Sequence, residues 1–98
     1  MYLVQVGSTW MEIKDLMFPV LRLGDKNFIP YSDVEQITLT WTFIIRSGFF
    51  TNAIFIDYDG NCYRVNSIKI LHGVGGIFGY HIDGRRVKIQ IHLDHIND

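Results

Sequence analysis

The sequence predicts a mainly β protein: an antiparallel meander of about six or seven strands, curled into a small barrel or sandwich with one short N-terminal helix. Three observations carry that expectation. Residues 37–46 (ITLTWTFIIR) place a large apolar side chain at every odd position and a polar one at four of the five even positions. Residues 87–93 (VKIQIHL) alternate without exception. Two Asp-Gly pairs, Asp59-Gly60 and Asp83-Gly84, stand where type I′ hairpin turns would join neighbouring strands. Alternation of β-branched and aromatic residues with polar ones marks a strand with one buried face.

The totals bound the answer. The chain of 98 residues reads as a single domain, 1–98, and is 48% hydrophobic and 14% aromatic. That length buries about 65% of the unfolded surface without needing a metal or disulfide staple. The net charge is −1, and the halves balance: residues 1–49 carry four basic and five acidic groups, residues 50–98 five of each. Such a balance calls for neither nucleic acid nor an anionic membrane as partner. Cys62 stands alone, which fits a reducing compartment. No basic segment precedes an apolar run at the N-terminus, and no apolar run approaches the roughly 20 residues of a membrane span. The expectation is a cytoplasmic protein without a membrane partner.

In chain order, residues 2–6 read as a short strand closed by Gly7. Thr9 and Glu12 have capping-box spacing, and Trp10, Ile13, Leu16 and Met17 recur at helical intervals, so a short helix is expected at about 10–17, with a strand as the alternative because eight residues give little periodicity to count. Pro19 disfavours helix at Phe18. Residues 20–23 and 27–31 read as two strands around Gly24-Asp25-Lys26, the second an edge because Pro30 has no N–H to donate. Ser32-x-x-Glu35 predicts one helical turn before the long strand at 37–46. Ser47-Gly48 ends that strand. Across Asp59-Gly60, a two-residue loop pairs Tyr58 with Asn61, Ile56 with Tyr63 and Ile54 with Val65, so that Ile54, Ile56, Tyr58, Tyr63 and Val65 are expected to be buried. A change of parity near Asn66-Ser67 predicts a bulge. Across Asp83-Gly84, Phe78, Tyr80 and Ile82 fall on the core face with Val87, Ile89, Ile91 and Leu93.

Residues 28–37, FIPYSDVEQI, resemble the strand-to-strand step of bacterial pleckstrin-homology-like domains. The resemblance covers about a tenth of the chain and implies, as a fold alternative, such a barrel lacking its C-terminal helix. It implies no functional residue.

Candidate chemistry is sparse. Gly73, Gly75, Gly76 and Gly79 read as a flexible loop; the segment lacks both a Gly at 78 and a Gly-Lys-Ser/Thr, so it is no phosphate loop. Of the histidines at 72, 81, 92 and 95, His81, His92 and Asp94 are the set that would have to converge for metal or acid–base work. Cys62 has no neighbouring base to activate it. Arg85, Arg86 and Lys88 form a basic stripe that would contact single-stranded nucleic acid. Phe49 and Phe50 cannot both face inward in extended chain. One of them, joined to Ile44 and Phe55, would make an apolar contact patch suited to a homodimer. The reading is a non-enzymatic interaction module, such as a subunit, an adaptor or an immunity- or antitoxin-like inhibitor. It has a protein partner or self-association and no catalytic residue, cofactor or metal. The alternatives are a nucleic-acid-binding small barrel and, third, a histidine-based enzyme or metalloprotein.

Overall fold

The computed structural model describes residues 10–24, 26–81 and 84–96, with backbone alone at Trp10 and His81. In chain order the strands are β1 (Trp10–Glu12), β2 (Val20–Leu23), β3 (Phe28–Tyr31), β4 (Leu39–Trp41), β5 (Ile54–Ile56), β6 (Cys62–Gly73), β7 (Tyr80–His81) and β8 (Gly84–Ile96). Two short helices, α1 (Glu35–Thr38) and α2 (Thr42–Arg46), flank β4. The expected class holds: the chain is mainly β and antiparallel, with seven strands in the main sheet and β7 paired to the start of β8. The sheet is not closed into a barrel. Its order, β1-β8-β6-β5-β2-β3, leaves β1 and β3 as edges, so the pleckstrin-like barrel is not formed either. The strand expected at 2–6 lies outside the described residues.

The organising element is β8. Its whole inner face is apolar: Val87, Ile89, Ile91 and Leu93 are all buried. β6 runs along one edge from Cys62↔Ile96 to Gly73↔Val87, with bulges after Val65 and after Ile70. The bulge expected near Asn66-Ser67 is therefore present. β1 and β4 share the opposite edge of β8, pairing with Asp94–His92 and Lys88–Arg86 respectively. Over the inner face fold Ile13, Leu16, Val20, Ile37, Phe50, Ala53, Phe55, Tyr63 and Val65, which complete the core.

Residues 10–17 do not form a helix. Met11 and Glu12 pair with Leu93 and His92, and a single 3₁₀ turn at Ile13–Asp15 follows, its Asp15 Oδ2 accepting the Glu12 N–H at 3.2 Å. Eight residues offer a helix about two turns, and pairing with β8 outweighs so small a propensity. The turn expected after Ser32 is present, shifted by one residue. Asp33 Oδ1 accepts the Gln36 N–H at 3.1 Å, and Gln36 Oε1 accepts the Ser32 N–H at 2.6 Å.

The long strand expected at 37–46 is broken into α1, β4 and α2. Its faces are also reversed. Thr40 lies opposite Val87 and is buried, whereas Leu39 and Trp41 lie opposite Lys88 and Arg86 and are half-buried. Directly opposed residues of an antiparallel pair share a face, so the register on β8 sets the orientation of β4. Buried Thr38 satisfies its hydroxyl on the Val34 carbonyl at 3.1 Å.

The first Asp-Gly turn is also different in type. Ile56 pairs with Cys62 and Phe55 with Tyr63, and the Asp57 N–H donates to the Asn61 carbonyl at 3.0 Å, which leaves a three-residue loop at 58–60. Gly60 has φ +87°, while Asn52 is the only non-glycine with positive φ among the described residues, so Asp59 cannot supply the second left-handed residue of type I′. Buried Asp57 holds the loop, its Oδ1 accepting the N–H groups of Asp59 and Asn61 at 3.0 Å each. The slip of one residue buries Phe55, leaves Ile54 and Ile56 half-buried, and puts Tyr58, expected in the core, on the exposed loop. In the second hairpin His81 pairs with Gly84, so Gly84 is a strand residue and not the turn glycine expected; Ile82 and Asp83 lie outside the described residues.

Candidate interaction surface

The expected patch of Ile44, Phe49, Phe50 and Phe55 is not a surface. Phe55 and Phe50 are core residues, 0% and 2% exposed, and Ile44 and Phe49 pack partly buried against them. The connection bends sharply. Gly48 and Asn52 take positive φ, and the Ala53 N–H donates to the Phe50 carbonyl. The bend frees the two phenylalanines from the alternation of extended chain, and their rings meet edge-on at 5.0 Å. Arg22 completes the trap. Its guanidinium lies 4.1 Å from the Phe49 ring centre, and Nη2 donates to the Phe49 carbonyl at 2.6 Å.

Arg85, Arg86 and Lys88 do not form one stripe. Neighbours in a strand face opposite sides. Arg85 lies over the Tyr80 ring, its guanidinium carbon 5.2 Å from the centroid, and against Gly73, where a Cβ would overlap the guanidinium. Arg86 instead lines an open hollow with Asp33 and Glu35. Lys88 stands between Leu39 and His72. It borders a cavity of about 300 Å³ where β1 and β4 leave Ile89 to Ile91 without a strand partner on that edge.

The histidine set does not converge. His81 pairs with Gly84, eight residues along β8 from His92, a separation of about 26 Å at strand rise. His92 Nδ1 lies 3.4 Å from the Ser67 hydroxyl, Asp94 accepts from Asn66 at 2.9 Å, and His95 packs on the Tyr63 ring. Among the described residues no three His, Cys, Asp or Glu side chains are placed to hold a metal ion. Burial raises the Tyr63 phenol above its ordinary value, with help from the nearby Asp57 carboxylate, to which it donates a hydrogen bond. This tyrosine is a core residue at the base of the first hairpin, opposite Phe55.

The glycine segment is a built turn. Gly75 and Gly76 sit at φ +86° and +54°, and the Phe78 N–H closes on the Gly75 carbonyl at 2.9 Å. The Val74 N–H donates to the Arg86 carbonyl at 2.9 Å, and a Cβ on Gly79 would overlap the Val74 carbonyl oxygen. Only glycine allows so close a backbone approach. The consequence is a 3₁₀ turn, Gly76–Gly79, at the far end of the β6–β8 ribbon. Its two side chains project outward: Ile77 is 82% exposed and Phe78 89%. Tyr80, Ile70 and Leu71 add exposed apolar surface along the same ribbon.

Charge divides along the same line. Residues 67–92 carry four cations, Lys69, Arg85, Arg86 and Lys88, against one acid, Asp83, while the rest of the chain carries five basic and nine acidic groups. Counting by halves conceals this, because the acids of the second half gather at 57–59 and 94–98. The apolar turn was also missed in the sequence, where Phe78 and Tyr80 were expected on the core face. The visible signal was an Ile-Phe pair between glycines on both sides, a pattern poor for a strand.

Compared with protein-family models, with curated proteins and with solved structures, the chain matches none.

Proposed function

We propose that the protein is a non-catalytic interaction module and that the end of the β6–β8 ribbon, residues 75–80, is its contact element. One observation carries this reading: Ile77 and Phe78 are the most exposed large apolar residues of the described chain, yet they sit on a turn fixed by its own hydrogen bonds. A solvated turn gains nothing from two such side chains; a contact surface does. The polar residues that do cluster, Asp57 with Tyr63 and Asp33 with Gln36, are occupied in local structure. The stacked pair Arg85–Tyr80 supports single-stranded nucleic acid as a second reading.

Fractionation after gentle lysis tests the module. Wild-type protein should travel with larger material, and a double variant Ile77→Ser/Phe78→Ser should run as a free chain of 11.4 kDa. Wild type that itself runs free at its native level would remove the proposal.

A further inference from the structure

Resting on that reading of the turn as contact element, we infer that its partner is an anionic bilayer surface, entered by Ile77 and Phe78 with the ribbon's cations against the headgroups. Three features select this partner. The projecting knob is small: Ile77 and Phe78 offer about 300–400 Å², with Tyr80, Ile70 and Leu71 adding part-exposed surface along the ribbon behind it, whereas a protein contact of standard size takes about 800 Å² from each side. A lipid interface needs no complementary pocket, and its affinity grows with each apolar side chain buried. The side chains are also wrong for base stacking, which needs π-faces in succession. Ile77, the residue before Phe78, has none.

Charge is the third feature. Arg85 adjoins Tyr80, Arg86 Cβ lies 3.7 Å from where a Gly79 Cβ would stand, and Lys88 and Lys69 follow on the paired strands. All four fall within roughly 13 Å of the ribbon's end at strand rise, Arg85 on one face of the ribbon and Arg86 and Lys88 on the other, with Arg86 also facing Asp33 and Glu35 across the open hollow. The net positive charge of residues 67–92 and the net negative charge of the remainder orient the molecule, ribbon first, towards an anionic surface. The acidic body stays on the solvent side.

Co-sedimentation of the full chain with vesicles tests this. Binding is expected to phosphatidylcholine–phosphatidylglycerol vesicles, at least about tenfold weaker to phosphatidylcholine alone, and weaker again as salt rises. Ile77→Ser/Phe78→Ser should lose at least about tenfold, with an unchanged far-ultraviolet dichroism spectrum showing that it is folded. Tyr58→Ser, also exposed but on the other hairpin, should bind as wild type. No binding to mixed vesicles at low salt overturns the inference, as does equal binding by the double variant. Binding of a single-stranded oligonucleotide without vesicle binding overturns it in favour of nucleic acid. If vesicles fail while the double variant still changes cellular fractionation, the bilayer is lost and the contact element stands; if both fail, both fall.

Discussion

The two ends of the β6–β8 ribbon are built from the same residue types in one ladder, and they meet opposite fates. Near the base, Val65 lies opposite Leu93 and both are buried. Further out, Ile70 lies opposite Ile89, yet Ile70 is 50% exposed and Ile89 1%. Strand pairing is satisfied at both ends, so the ladder does not make the difference. The surroundings do: Ile13, Val34 and Ile37 pack in the core with β8, and β5 pairs with the base of β6 over Cys62–Arg64, but among the described residues no strand pairs with the free edge of β6 beyond Arg64. Apolar residues outside that core contribute little to folding and remain available for contact.

The comparison is sharpest in paired truncations. Ile89→Ala is expected to cost about 2–5 kcal/mol in denaturant melts, the range for a fully buried aliphatic. Gly84→Ala comes next, at about 1–3 kcal/mol through overpacking, because its Cβ would overlap the Thr42 hydroxyl, which accepts the Arg85 N–H at 3.0 Å. A melt unchanged by that substitution would mean α2 does not close on the start of β8. At the base of the ribbon, Tyr63 has a folded pKa above its unfolded value near 10.0. A raised pKa favours the folded state below that unfolded value and withdraws the benefit as pH climbs through the folded one. Wild type should therefore lose stability above pH 10 more steeply than Tyr63→Phe; parallel curves would contradict the buried Tyr63–Asp57 pair. Ile70→Ala, opposite Ile89, should cost less than about 1 kcal/mol. Equal losses at positions 70 and 89 would erase the distinction between the two ends.

How much of this was legible can be argued from two alternating segments. Residues 87–93 alternate and form the predicted strand with the predicted face, because β6 pairs along one edge of β8, β4 and β1 pair with the two ends of the other, and the pattern agrees with them. Residues 37–46 alternate as well, but only Leu39–Trp41 is strand, and its threonine faces inward. A three-residue strand buries too little side chain to choose its own register. Its face follows β8, and the apolar residues of α1 and α2 pack by helical geometry instead. The Asp-Gly pair at 59–60 marked a turn correctly, but the loop length, and with it the buried face, depended on the Asp57 carboxylate gathering two N–H groups. For the contact surface, composition showed the glycines and the cations. It could not show that the turn projects past the core, since that is a property of tertiary packing.

The most direct measurement is the stability of the double variant at the end of the ribbon. If Ile77 and Phe78 serve contact and not the core, Ile77→Ser/Phe78→Ser should unfold within about 0.5 kcal/mol of wild type, the range for surface substitutions. A loss above about 3 kcal/mol, the scale of truncating buried aliphatic or aromatic residues, would place both side chains in the packed interior and contradict the account.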